Sequence, residues 1–187
     1  MVSSASGWSS GVRSVTTSYY RKREQNVRRM WVGLVLGCVV AVSGCDRGSR
    51  PQNIGTPAPE FVMSDGVTTV DLAKFRGKTV VLNLWATWCA TCVEELPSLL
   101  ELQKRMPGIV VVGVSTDQDD VVYRRFLVKN QVNLLTVRDS EMKVNALYGT
   151  ALIPETYIID KSGVIRRKFI GPQDWTSGEI TNYLKRL

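Results

Sequence analysis

The order of apolar runs and amphipathic segments in this 187-residue chain predicts an α/β fold, with a mixed central sheet flanked by helices. Two continuous apolar runs, 79–84 and 109–114, are typical of buried strands of a parallel pair. Each run is followed by a segment in which apolar residues recur at helical spacing. Residues 156–160 and 164–169 bracket Lys161-Ser162-Gly163, which predicts an antiparallel hairpin and therefore a sheet with both strand directions.

The other elements follow from turn and capping signals along the chain. Residues 60–63 and 67–71 flank Ser64-Asp65-Gly66 and predict an N-terminal hairpin, after which Asp71 can cap a short helix. The remaining expected elements, in chain order, are a helix over 72–75, a long helix over 92–106 with a kink at Pro97, a helix over 119–129, a strand over 134–137, a helix over 141–147 and a closing helix over 175–187.

Cys89 and Cys92 stand three positions apart, between the first apolar run and the long helix. The free N–H groups and the positive dipole end of that helix favour a thiolate over a thiol. In such settings the pKa of a cysteine falls from about 8.5 to between about 3.5 and 7.5. We therefore expect Cys89 to be a nucleophile and Cys92, one turn further on, to resolve the intermediate that it forms.

Two other uses of the cysteine pair fit the residues less well. As a structural bond, so short a loop would constrain the unfolded chain by only about 2 kcal/mol. A zinc site needs four ligands, whereas the chain has no histidine and only two further cysteines, Cys38 and Cys45. Both of those cysteines lie in or beside a targeting segment, so we expect no metal.

Residues 31–42 are apolar and uncharged and follow Arg28 and Arg29 after a single methionine. The run is too short to span a bilayer and fits the core of a signal peptide. The next residues, Val42-Ser43-Gly44-Cys45, resemble the lipobox of bacterial lipoproteins, which implies cleavage before Cys45 and lipid attachment to it. The alternative is a signal anchor with an incidental cysteine. In either case we expect an extracytoplasmic protein tethered to a membrane, on the periplasmic side of the inner membrane or on the outer cell surface.

The expected domain organisation follows from this segment. Residues 1–44 form a signal peptide region, with a true start near 27–30 because the serine-rich residues before it show no apolar period. Residues 45–54 form a lipid-anchored tether containing Gly, Ser and Pro. Residues 55–187 are long enough for one domain with a hydrophobic core.

The net charge of +7 belongs mostly to the targeting segment. The first 44 residues hold six of the 24 basic residues and one of the 17 acidic ones, which leaves 18 against 16 in the rest. No basic stripe with interleaved aromatic residues remains, so we expect no nucleic-acid partner. Arg166-Arg167-Lys168 fits a solvated edge strand.

The apolar run, Trp88-Cys89-Ala90-Thr91-Cys92, the helix with Pro97, and Ile153-Pro154-Glu155-Thr156 ahead of the hairpin together resemble the thioredoxin fold. Within that fold, the N-terminal hairpin and a central helix-strand insertion at 119–137 resemble the membrane-tethered, extracytoplasmic thiol:disulfide oxidoreductases of the TlpA, ResA and DsbE type, which serve cytochrome c maturation. The resemblance covers about 55–187.

The resemblance implies roles for four residues besides the cysteines. Pro154 matches the family's cis-proline beside the dithiol, and the alternative is a trans-proline that opens a strand. Ile153 would offer backbone groups to an extended substrate, and Trp88 would also contact it. Glu95 matches an acidic residue that passes a proton to or from Cys92, and the alternative is a solvated helix glutamate.

Two departures from the family pattern qualify these roles. Cytoplasmic thioredoxins carry an aspartate where this chain has Asn83, so Glu95 is the remaining candidate for proton transfer. The dipeptide between the cysteines, Ala90-Thr91, lacks the proline common in relatives and leaves the reduction potential open.

The resemblance implies thiol-disulfide exchange, most simply as a reductase of protein disulfides such as the haem-attachment cysteines of apocytochrome c. A membrane electron donor of the thiol-reductase type would recycle it, and no cofactor is expected because no G-x-G-x-x-G fingerprint is present. The alternatives are a general disulfide reductase or oxidant, a peroxidase of the peroxiredoxin type, a copper-delivery protein, and a redox-inactive lipoprotein. The peroxidase would need Thr or Ser in place of Ala86, and copper delivery would need a histidine.

Overall fold

A computed structural model describes residues 53–187. The predicted signal peptide region, the lipidation residue Cys45 and the tether up to residue 52 lie outside the described residues. The elements, in chain order, are β1 Val62–Ser64, β2 Thr69–Asp71, a 3-10 helix Leu72–Phe75, β3 Thr79–Trp85, α1 Ala90–Arg105, β4 Ile109–Ser115, α2 Asp120–Lys129, β5 Leu135–Arg138, α3 Lys143–Tyr148, β6 Glu155–Ile159, β7 Ile165–Ile170 and α4 Gly178–Leu184.

The central sheet has five strands in the order β5-β4-β3-β6-β7. Strand β3 pairs in parallel with β4 and antiparallel with β6, and all seven of its residues are buried. Strands β4 and β5 are parallel, whereas β6 and β7 form the antiparallel hairpin. The predicted α/β class with a mixed sheet is confirmed, and β3 delivers the dithiol segment at its carboxyl end.

Each face of the sheet packs against its own layer. Alternating residues of β3 explain this, because successive side chains of a strand point to opposite faces. Leu82 lies on the face covered by the N-terminal hairpin and α3, whereas Val81 lies on the face covered by α1 and α4. A third, smaller cluster at the carboxyl end of β3 contains both dithiol cysteines, Trp85, Ala86 and Tyr123 of α2.

Hydrogen bonds join the two additions to the fold, which are the N-terminal hairpin and the insertion with α2 and β5. In the hairpin turn, Asp65 Oδ2 accepts a hydrogen bond from Arg138 N at 3.1 Å, and Asp65 O accepts one from Arg124 Nη2 at 3.1 Å. Burial opposes ionisation of Asp65, but backbone N–H donors from Thr68, Arg138 and Val67 hold its pKa below the usual value. The turn of the N-terminal hairpin therefore holds the insertion against the rest of the domain.

Several element boundaries differ from the sequence-based prediction for identifiable reasons. Helix α1 begins at Ala90, two residues earlier than expected, because Cys89 itself acts as its N-cap. Helix α4 begins at Gly178, since Ser177 caps it and Trp175 instead lies in the preceding loop. Among residues 53–187, no helix is both long and apolar enough to cross a membrane.

The prediction of a solvated basic run at 166–168 is wrong for its last residue. Strand β7 is an edge strand, and Arg166 and Arg167 remain partly exposed. The side chain of Lys168, however, is only 9% exposed and forms an ion pair with buried Glu155 at 2.9 Å. Side chains two residues apart on a strand point to the same face, so the strand pattern predicts similar exposure for Arg166 and Lys168. Their exposures differ, so the exposure of Arg166 does not follow from the strand pattern alone.

Candidate active site

The Cys89–Cys92 pair lies where β3 ends and α1 begins. The two cysteines form a disulfide with a Cα–Cα distance of 5.2 Å. Cys89 is 8% exposed and Cys92 is 2% exposed, so Cys89 is the more accessible residue of the pair. This difference agrees with the predicted division of labour between a nucleophile and a resolving cysteine.

Two hydrogen-bond donors lie close enough to Cys89 Sγ to stabilise a thiolate there. Cys92 N donates to Cys89 Sγ at 3.2 Å, which makes Cys89 the cap of α1. Thr91 Oγ1 lies 3.5 Å from the same sulfur and adds a hydroxyl at the site. Hydrogen bonds to the charged form of a group favour that form, so both contacts favour the thiolate. The hydroxyl was not singled out in the sequence, although its place inside the C-x-x-C motif is a signal.

The cis conformation predicted for the Ile153-Pro154 peptide bond is confirmed. Ile153 O lies 3.8 Å from Cys89 Sγ, so the loop ahead of β6 sits directly beside the dithiol. Gly171 N donates to Pro154 O at 2.9 Å and ties this loop to the end of β7. The residues expected to meet a substrate are thus brought together from the ends of β3 and β6.

Three exposed apolar side chains lie on the segments that meet at the dithiol. Trp88 is 68% exposed and Leu152, next to Ile153, is 69% exposed. Ile170 is 62% exposed and pairs with Glu155, the residue after the cis-proline. Large exposed apolar side chains that cluster around a reactive group mark a binding surface. Sequence reasoning found Trp88 but missed Leu152 and Ile170. Ile170 could not be found locally, because only the sheet topology pairs the end of β7 with Glu155.

Glu95 lies on α1 one turn after Cys92 and is 3% exposed, so the alternative of a solvated helix glutamate is wrong. Its carboxylate accepts hydrogen bonds from Asn83 Nδ2 at 2.8 Å, Gln173 N at 3.0 Å and Trp175 Nε1 at 3.2 Å. Burial raises the pKa of Glu95, and the three donors only partly offset that effect. Its carboxylate bonds to these donors and not to Cys92, and its predicted role in proton transfer stays a prediction.

Asn83 occupies the position where cytoplasmic thioredoxins carry an aspartate, and its side-chain NH₂ group donates two hydrogen bonds. Asn83 Nδ2 donates to Glu95 Oε1 and also to Thr156 Oγ1 at 2.9 Å. The acidic group at this depth therefore comes from α1, while β3 supplies a donor that orients it. Thr156, Gln173 and Trp175 were not found from the sequence, since they approach Asn83 (Thr156) and Glu95 (Gln173 and Trp175) from distant segments.

Within the part of the chain that the structure describes, no group of three His, Cys, Asp or Glu side chains is arranged to hold a metal ion. The dithiol has only two sulfur ligands, whereas zinc in structural sites takes four. The chemistry available at this site is that of the sulfurs themselves.

Residues 53–187 match the Redoxin family. The chain belongs to the Redoxin family. It is similar to the thiol-disulfide oxidoreductase ResA of Bacillus thuringiensis strain Al Hakam, with 28% identity over 89% of this chain and 98% of that protein. It is also similar to the thiol:disulfide interchange protein DsbE of Pseudomonas fluorescens biotype C, with 35% identity over 65% of this chain and 68% of that protein.

The crystal structure of a DsbE-like protein from Chlorobium tepidum has the same fold as this Redoxin-family chain. The TM-score is 0.67, with 24% identity over 72% of this chain and 96% of that one. Together with the Cys89–Cys92 disulfide, the family and its named relatives establish that the protein is a thiol-disulfide oxidoreductase with a thioredoxin-like fold.

Proposed function

We propose that the protein is a membrane-anchored, extracytoplasmic reductase of protein disulfides, with the haem-attachment cysteines of apocytochrome c as its substrate. The observation that carries this proposal is Cys89, the N-cap of α1 and the more exposed of the two cysteines, beside the Ile153-Pro154 loop, in a chain whose relatives are named ResA and DsbE. The exchange chemistry follows from the family, whereas the direction, substrate and anchoring are the proposed part.

The reaction transfers two electrons from the dithiol to the substrate. The Cys89 thiolate attacks one sulfur of a substrate disulfide, and the second substrate sulfur leaves as a thiolate. Cys92 then loses its proton and attacks Cys89 Sγ, which releases the reduced substrate and leaves the Cys89–Cys92 disulfide. Glu95 takes up the Cys92 proton, a role supported by its position one turn further along α1 and by its raised pKa.

The substrate binds as an extended segment against the loop ahead of β6. Ile153 offers its backbone to that segment, in the manner of an added strand. Trp88, which is exposed beside Cys89, packs against the substrate residues that flank the reacting cysteine. Apolar contacts on both sides of the disulfide hold the sulfur in line for attack, and Pro154 shapes the surface between them.

The domain acts close to a membrane. Cys45 carries a lipid after removal of residues 1–44, and residues 45–54 form the tether, whose extended length is at most about 35 Å. A membrane donor of thiol-reductase type returns two electrons to the Cys89–Cys92 disulfide after each turnover. This arrangement keeps substrate cysteines reduced in an oxidising compartment.

The experiment that tests the proposal is a covalent trap. Cys92→Ser retains the nucleophile but removes the resolving thiol, so the reaction stops at the mixed disulfide. Expressed in its own membrane, this variant should capture proteins with a C-x-x-C-H haem-attachment motif. The matched control, Cys89→Ser, keeps the buried cysteine and should capture none of them.

A strain from which the gene is deleted completes the test. This strain should lack c-type haem proteins and regain them when a reductant is added to the medium. A trapped set made only of other secreted disulfide proteins would replace the proposal with a general disulfide reductase. A dithiol potential as oxidising as about −120 mV would instead reverse the direction of electron flow.

A further inference from the structure

A second buried carboxylate, Asp117, lies near the dithiol and takes no part in the exchange reaction. It lies two residues after the end of β4 and is 3% exposed. Its carboxylate accepts hydrogen bonds from Thr87 N at 3.0 Å, from Thr87 Oγ1 at 2.5 Å and from Ser115 Oγ at 2.5 Å. Within 53–187, no Lys or Arg side chain forms an ion pair with it.

Burial of a carboxylate without a counter-ion opposes folding unless hydrogen bonds compensate for the lost water. Two of the three donors to Asp117 come from one residue, Thr87, and one of these is a backbone N–H. The carboxylate therefore fixes both the backbone and the side chain of Thr87 in place.

Thr87 belongs to the short turn that joins β3 to the nucleophile. Cys89 N donates to Ala86 O at 3.3 Å across this turn, and Thr116 N donates to Trp85 O at 3.0 Å where it begins. The turn is thus held at its start by Thr116 and at its centre by Asp117. Cys89 is the next residue but one, so the position of Thr87 constrains the position of the sulfur.

We propose that Asp117 is a positioning residue for the dithiol, which acts through Thr87 to hold Cys89 Sγ against the first N–H groups of α1. The contact that depends on this placement is the 3.2 Å hydrogen bond from Cys92 N to Cys89 Sγ. The proposal rests on thiol-disulfide exchange at the dithiol and is independent of the substrate and of membrane anchoring.

Charge and geometry act in opposite directions here, which makes the proposal testable. A nearby negative charge disfavours a thiolate, so removal of the Asp117 charge alone should lower the pKa of Cys89. Loss of the position that Asp117 enforces weakens the hydrogen bond from α1 and should raise the pKa of Cys89. The position that Asp117 enforces outweighs its charge if truncation of Asp117 raises the pKa of Cys89 and isosteric replacement does not.

The experiment measures the pH dependence of iodoacetamide alkylation of Cys89 in the reduced full-length protein. The modified residue is assigned by tandem mass spectrometry, because Cys38, Cys45 and Cys92 are also thiols. Cys92 is only 2% exposed in the disulfide form. Asp117→Ala should move the midpoint up by about one pH unit, which lowers the rate about tenfold below the midpoint. Because the reduced form loses stability, the ratio of reduced to oxidised protein in a fixed glutathione buffer should fall about tenfold as well.

Asp117→Asn serves as the isosteric variant. Its amide oxygen can still accept from Thr87 N and Ser115 Oγ, while its NH₂ group can donate to Thr87 Oγ1. Its midpoint should lie at or below that of the wild type. Asp119→Ala is the matched control in the same loop, because exposed Asp119 caps α2 through Val121 N and Val122 N and does not contact the turn.

If Asp117→Ala does not fold, Thr87→Val and Thr87→Ser decide the matter. Thr87→Val removes one hydroxyl and should raise the midpoint, whereas Thr87→Ser keeps the hydroxyl and should restore the wild-type value. The proposal is overturned if Asp117→Ala alkylates with the midpoint of Asp119→Ala. It is equally overturned if Thr87→Val and Thr87→Ser have the same midpoint.

Discussion

Trp175 donates its indole N–H to Glu95 Oε2 at 3.2 Å, although 80 residues separate the two in the chain. The donor comes from the loop after β7 and the acceptor from the second turn of α1, just below the dithiol. Trp175 is fully buried, so this bond lies away from solvent. The carboxyl group of Glu95 therefore joins α1 to the loop after β7.

The first prediction concerns the stability of the protein against pH. Burial raises the pKa of Glu95 above the value of about 4.3 that it has in the unfolded chain. Its favourable contribution is fully present below that value and is lost as the pH rises through the folded pKa. Relative to Glu95→Gln, the wild type should therefore lose free energy of unfolding in urea titrations as the pH rises above about 4.3.

The same variant tests proton transfer. Glu95→Gln should slow reduction of a protein disulfide by about 10²-fold and change the pH dependence of the rate. Glu94→Gln is the control, because Glu94 is the exposed neighbour on α1. Equal pH profiles for the two variants would leave Glu95 with a structural role only.

Local patterns were sufficient to predict the reactive centre. The apolar run of β3, the spacing of Cys89 and Cys92, and the helix that follows are all contiguous in the sequence, so their geometry depends on neighbouring residues. Pro154 was placed by resemblance, because no local rule sets its distance from the cysteines 62 to 65 residues earlier.

The surroundings of the centre depend on contacts that no local pattern encodes. The donors to Glu95 arrive from β3 and from the loop after β7, and their identity is decided by the strand order. Lys168 illustrates the same limit, because a lysine on an edge strand is expected in solvent. Its side chain can be buried because β6 places the carboxylate of Glu155 2.9 Å from the Lys168 ammonium group.

The second prediction concerns this buried ion pair. Lys168→Met leaves the Glu155 carboxylate buried without its cation and should lower the free energy of unfolding by about 3 kcal/mol. Lys143→Met removes an exposed pair with Glu141 and should change stability by less than about 1 kcal/mol. Urea denaturation of both variants makes the comparison, and equal losses would contradict a special role for the buried pair.

That prediction has an internal check. Glu155→Gln combined with Lys168→Met removes both charges, so the double variant should regain part of the stability that Lys168→Met loses. If the double variant loses more free energy of unfolding than the two single variants lose together, the two charges do not compensate each other.

The third prediction concerns the anchor. If residues 42–45 are a lipobox, Cys45→Ser should accumulate as an uncleaved precursor without lipid. The wild type should fractionate with membranes, and its intact mass should correspond to a chain that begins at Cys45 with its lipid. A mature, soluble, unlipidated protein in the wild-type strain would contradict the assignment.

The fourth prediction separates substrate binding from chemistry. Trp88 is 68% exposed beside Cys89, so Trp88→Ala removes apolar contact area at the centre of the proposed binding surface. The rate constant kcat/KM for a protein disulfide should fall at least about tenfold, as for loss of a central aromatic contact. Val128→Ala on α2, where the side chain is 81% exposed, should leave it unchanged. Exchange with dithiothreitol, which is too small to reach the surface and the sulfur together, should respond weakly to either change. An equal loss with dithiothreitol would mean that Trp88 shapes the dithiol and not the substrate.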